Sequence, residues 1–144
     1  MHLQSDIVVP QNIEQVSEFF YEPTSLAKWD RSVADMIPTS GPEAEQSTFD
    51  TIAPSGMKMS YRVIEMEYGK NVKILLTESK MFKEAIWQFL FDAVEGGTKI
   101  TCHVFFKLRL AYFFMAPVLY FTRGAILRDL GFFRVALDEY CANK

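Results

Sequence analysis

The sequence is poor in the residues that metal and redox chemistry requires. It has two cysteines, Cys102 and Cys141, and two histidines, His2 and His103. None stands in a CxxC or comparable ligand spacing, so no metal site is expected. A disulfide between the two cysteines is conceivable, but each falls on an apolar face and reads as a core thiol. Basic residues are also in deficit, with 15 Lys and Arg against 18 Asp and Glu and a net charge of −3. No surplus exists to neutralise phosphates, which argues against a nucleic-acid partner. The longest apolar run, Leu110–Phe121, has twelve residues broken by Pro117, short of the roughly 20 needed to span a bilayer. The opening MHLQSDIVVP shows no basic stretch leading into an apolar one, so no signal peptide is visible and the cytoplasm is the expected compartment. Linkers, repeats and low-complexity tracts are missing, and residues 1–144 read as a single domain. No phosphate loop, Ser/His/Asp set or paired-carboxylate motif rises above chance, and no cofactor is expected.

Aromatic residues, by contrast, are abundant. They make up 15% of the chain, with 13 Phe, and apolar residues reach 49%. That composition excludes intrinsic disorder. It is also more apolar bulk than a minimal core of this size needs.

The pattern along the chain gives a strand, two short helices, a run of strands and one long helix. Ile7-Val8-Val9 ends a first strand at Pro10. Asn12 can cap a helix by accepting an N–H of its first turn. Ile13, Val16, Phe19 and Phe20 then recur at helical spacing. Glu22-Pro23 ends this helix, and Thr24 or Ser25 starts a second one through Leu26 to Trp29. Residues 45–53, 57–68, 71–79, 82–94 and 98–109 read as antiparallel strands, divided by Pro54-Ser55-Gly56, Gly69-Lys70-Asn71 and Gly96-Gly97. Alternation puts Ile100, Cys102, Val104 and Phe106 on one face, and His103 on the other with Lys99, Lys107 and Arg109. Trp87, Phe89 and Phe91 continue the inner face, as do Ile74, Leu76, Met59, Tyr61 and Val63. From about Pro117 to Tyr140 the chain predicts a long helix with Leu119, Ile126, Leu130, Phe133 and Leu137 as its core stripe.

The segment IEQVSEFFYEPTSLAKWD (Ile13–Asp30) resembles the opening of START-like proteins, the superfamily of birch-pollen-type allergens and polyketide cyclase/dehydrase-like proteins. GGTKIT (Gly96–Thr101) is similar to the turn before that family's last strand, and PVLYFTRGAILRDLGFFRVALDEY (Pro117–Tyr140) to its final helix. Gly131-Phe132-Phe133-Arg134 departs from the more polar stretch of many relatives. The resemblance covers essentially the whole chain. It implies an α+β helix-grip fold: a curved antiparallel sheet wrapped around a long C-terminal helix, with two short helices after the first strand. It further implies a cavity between sheet and helix, where members bind lipids, sterols or polyketides and a minority catalyse cyclisation or dehydration. The expected lining is Trp29 and the inner-face residues above, with Ile126, Leu130 and Phe133 from the helix.

Individual residues carry more than one reading. Trp29 is a packing anchor or a wall at the cavity mouth. Tyr61 and Trp87 could orient a ligand oxygen or be satisfied by neighbours. Met57, Met59, Met66 and Met81 are adaptable lining or core filling. Glu78 falls on the inner register at its strand's end, so it enters the cavity mouth or stays at the surface. Arg123 could pair with Glu78, bind a ligand carboxylate, or keep its head in water. His103 has a pKa suited to proton transfer but points outward.

Phe114, Phe121 and Phe132 form an outer stripe away from the core stripe. An exposed patch of that kind marks a homodimer face, a transient membrane contact, or a segment folded over the cavity entrance. Three functions follow: a binding or transport protein for an apolar or amphipathic small molecule, a cyclase/dehydratase-type enzyme using Tyr61, Glu78 or Arg123, and an interaction module with a vestigial cavity.

Overall fold

Alternating polarity over long segments makes a sheet here, and three of its hairpins close where a proline or glycine interrupts it, at Pro54 and Gly56, at Gly69 and at Gly96. The computed structural model describes residues 1–39, 46–121 and 124–144, with the side chains of 125–127 outside that description. The order of elements is β1 (His2–Val9), α1 (Ile13–Phe20), α2 (Ser25–Trp29), β2 (Asp35–Pro38), β3 (Thr48–Ile52), β4 (Lys58–Glu67), β5 (Asn71–Leu76), β6 (Phe82–Val94) and β7 (Gly97–Leu108). A 3-10 helix (Leu110–Met115), α3 (Ala116–Phe121) and α4 (Gly124–Ala142) complete it.

The seven strands form one curved antiparallel sheet in the order β1-β7-β6-β5-β4-β3-β2. The first strand therefore pairs with the last, Ser5 opposite Cys102 and Val9 opposite Thr98. Cross-strand partners confirm the alternation. Val63, Ile74, Trp87 and Val104 lie in one row, and Val72, Phe89 and Cys102 in the next. This concave face receives α1, α2 and α4. Asn12 caps α1 reciprocally: its side chain accepts from Gln15 N at 2.9 Å, while its own N–H donates to the Gln15 side chain at 3.0 Å. Val16 and Phe19 are fully buried beneath it. Along α4, Leu130, Phe133 and Leu137 are buried at the helical spacing the sequence shows.

Two expectations need correction, and one concerns residues only partly described. Helix covers the described residues of the stretch expected from Pro117 to Tyr140, as α3 (Ala116–Phe121) and α4 (Gly124–Ala142), with 122 and 123 outside the description. The strand expected to reach residue 79 ends at Leu76, with the Thr77 N–H still donating to Ser60 O of β4 at 2.9 Å, and the Ser79 hydroxyl accepts from the N–H groups of Met81 and Phe82 in the turn that follows. A further strand, β2, is present at the sheet edge. Its four residues end in Pro38, which an edge strand tolerates because one side of its backbone pairs with no other described strand.

Candidate ligand-binding cleft

The site is an apolar cleft of about 140 Å³ between the α1–α2 corner and the far half of the sheet. Phe20, Leu26 and Trp29 form one wall, and Phe49, Val63, Met66, Val72, Ile74 and Phe89 the other, with Met36 and Pro38 of β2 at its edge. A bulge in β4 builds part of this wall. Pairing shifts between Val63 and Glu65, so Met66 comes opposite Val72 and both Val63 and Met66 face inward. The α1–α2 corner is held by backbone and side chain together: the N–H of Ser25 donates to Glu22 O at 3.0 Å, and its hydroxyl to Phe20 O at 3.1 Å.

Aromatic rings close the deep end. The Trp29 ring meets Phe133 edge-on at 5.3 Å and Phe89 at 6.2 Å, and Phe20 packs against Phe89 at 5.1 Å and Phe91 at 5.0 Å. Beyond Ile74, the concave face carries a second aromatic row. Tyr61 stacks on Phe49 at 5.2 Å and meets Trp87 edge-on at 5.8 Å, and Trp87 meets Phe106 at 5.9 Å. Tyr61, Trp87 and Phe106 are only half-buried. Burial pushes the Tyr61 phenol up from its ordinary pKa, opposed by a hydrogen bond from the Thr51 side chain.

Comparisons with known proteins locate this arrangement. No family model matches the sequence, and no curated protein matches it. Solved structures do. Protein MLL2253 from Mesorhizobium loti superposes with a TM-score of 0.78 at 11% identity, over 96% of this chain and 98% of that one. Ara h 8.0201 superposes with a TM-score of 0.72 at 11% identity, over 100% and 99%. The di-domain ARO/CYC protein StfQ of the steffimycin biosynthetic pathway gives 0.72 at 12% identity, over 98% of this chain and 51% of that one. The chain has the START-like fold.

Within that START-like frame, the residues expected from sequence fall into five groups. Trp29, Ile74 and Phe89 line the cleft. Met59, Tyr61, Leu76, Trp87 and Phe106 lie on the same concave face beyond it. Phe91, Cys102, Val104, Leu130 and Phe133 are buried in the packed core. Glu78 is exposed in the turn after β5 and does not enter the hollow. Arg123 lies outside the described residues, as does the side chain of Ile126. Among the described residues, α4 contributes nothing to the cleft wall, because Leu130 and Phe133 are consumed in close packing. His103 points outward as expected, stacked with His2 and Phe105, and its pKa is lowered by burial and by His2.

Sequence reasoning missed Phe20, Glu22, Leu26, Met36 and Phe49 as lining residues. Phe20 carried a signal: it sits at a helix end about 100° around from Phe19, at the edge of the core stripe rather than its centre, where a side chain can border a gap. Glu22 supplies the notable polar atom. Its Oε1 accepts from Thr24 Oγ1 at 3.0 Å and lies 3.8 Å from Lys28 Nζ. Its Oε2 is buried with no hydrogen-bond partner among the described residues. The two cysteines are free thiols, and burial, reinforced by Asp129 and Asp30, pushes Cys102 up to about 12, which leaves it unreactive. No metal-binding group of three or more acidic, His or Cys residues occurs among the described residues.

Proposed function

We propose that this START-like domain, spanning residues 1–144, is a cytoplasmic binding or transport protein for an apolar or amphipathic small molecule of lipid, sterol or polyketide-like chemistry. The observation that carries this reading is the cleft itself. Its walls are apolar and come from five strands and the two short helices, so it is built by the fold rather than left by one loose side chain. Its volume, about 140 Å³, is near the roughly 150 Å³ of an apolar cavity that accepts benzene. It therefore seats one ring or the end of a chain, and a longer ligand would continue over the half-buried Tyr61 and Trp87. The unpartnered Glu22 Oε2 favours a ligand bearing a hydroxyl or amine over one bearing a carboxylate.

Native mass spectrometry of the purified protein should reveal a bound apolar mass. Quenching of Trp29 fluorescence should then report saturable binding of ring compounds, with 2-naphthol bound more tightly than 2-naphthoate. Leu26→Trp, which fills the cleft, should weaken binding about tenfold or more while the melting temperature holds. An affinity untouched by Leu26→Trp would remove the cleft as the site.

A further inference from the structure

Among the described residues, the 3-10 helix and α3 hold the most exposed large apolar side chains. Leu110 is 80% exposed and Phe121 82%, and Phe113, Phe114 and Val118 are each at least half exposed. None of these five belongs to the buried core. Phe132, expected to share their stripe, does not belong with them. It lies on α4, is half-buried against the core, and is covered by the Arg31 guanidinium at 4.0 Å from its ring centroid.

Along the sequence the charge in this segment is one-sided, although Glu84 of β6 stands opposite Lys107 in the ladder. From Gly96 to Arg128 the sequence contains no Asp or Glu, while Lys99, Lys107, Arg109, Arg123 and Arg128 fall within the same stretch of a chain whose net charge is −3. At the segment's root is a hollow of about 520 Å³, where Lys83 and Lys107 stand beside Phe106, Leu108 and Phe113. Arg109, where the chain leaves β7, donates from Nε to Ser79 O at 3.3 Å, which ties the segment's entry to the β5–β6 turn.

We propose that this segment docks the protein on an anionic lipid surface. The exposed phenylalanines and leucine would enter the acyl boundary, and the lysines at the root would meet headgroup phosphates. The twelve residues are too few to span a bilayer and have the length of an interfacial element. The charge pattern decides against a second copy of the chain as the occupant. A two-fold contact sets each patch against its own image, so Lys107 and Arg109 would approach like charges, whereas anionic lipid neutralises them. The proposal does not depend on the identity of any ligand in the cleft.

Vesicle flotation with the full chain tests it. Wild type should float with phosphatidylcholine–phosphatidylglycerol vesicles and about tenfold less with pure phosphatidylcholine, the difference shrinking at high salt. Phe114→Asp with Phe121→Asp should abolish flotation, and Lys83→Glu with Lys107→Glu should remove the preference for anionic lipid. Both pairs are surface changes, and circular-dichroism melts should overlay wild type. Failure of wild type to float with anionic vesicles overturns the proposal. So does a wild-type dimer in sedimentation that Phe114→Asp with Phe121→Asp converts to monomer without any vesicle binding, since the patch would then belong to a second copy.

Discussion

Gly97 shows how narrowly a single position can be constrained. Its φ is +151°, a conformation that side-chain-bearing residues rarely adopt, and a Cβ there would stand 1.9 Å from the Val9 carbonyl oxygen. That oxygen belongs to β1, paired with β7 at this level, so neither backbone can retreat without opening the ladder. Gly97→Ala should therefore lower unfolding free energy by more than about 1 kcal/mol in urea titration, beyond the ordinary glycine-to-alanine scale. Gly56→Ala offers the comparison, since it shares a positive φ but meets no atom within 4 Å. A loss at Gly97 no greater than at Gly56 would contradict the steric account. The sequence marks Gly96-Gly97 as a turn, but the close approach of β1 comes from strands 88 residues apart in the chain. Asn12 behaves oppositely, because its cap involves only residues three positions away and is fully legible.

Among the elements, α4 depends on Phe133 for its seat. The Phe133 ring contacts Phe19 at 5.4 Å and Trp29 at 5.3 Å, so one side chain ties α4 to both short helices. Phe133→Ala should cost about 3–5 kcal/mol, the usual range for deleting a buried aromatic. Trp29 emission should shift to the red as water reaches its ring. An unshifted spectrum with wild-type stability would mean that the helix is held elsewhere. Periodicity identified α4, because a core stripe of Leu130, Phe133 and Leu137 repeats several times. It missed β2, where four residues hold too few repeats to establish an alternation. It also misplaced the end of β5, since Thr77 and Glu78 continue the alternation in sequence although β5 ends at Leu76.

For the molecule as a whole, stability should depend on pH through Asp129. Burial pushes this carboxyl up to about 6, the negative charge of Asp30 adds to the shift, and Arg128 opposes it. The unfolded chain holds that proton only below about 3.8. Between the two values the folded state binds more protons, so this group lowers stability as pH rises from about 4 to about 6, with the full loss above that. Asp129→Asn should melt close to wild type near pH 4 and above it at pH 7, the gap opening between those values. A gap constant from pH 4 to pH 7 would rule out this residue as the source. The same scale separates what was readable from what was not. The sequence by itself determined the succession of a strand, two short helices, a run of strands and a final helix, and the inward faces of most strands, because periods of 2 and 3.6 are local properties that burial enforces along each segment. Only the tertiary structure decided which of those inward residues touch one another and which leave a gap. Phe91 and Phe133 close-pack while Phe20 and Ile74 border a hollow, and the difference lies in the distance between elements and in the β4 bulge that turns Met66 inward. The exposed aromatic segment follows the same division: its apolarity is written in the chain, and its lack of cover is a fact about where α4 and the sheet end.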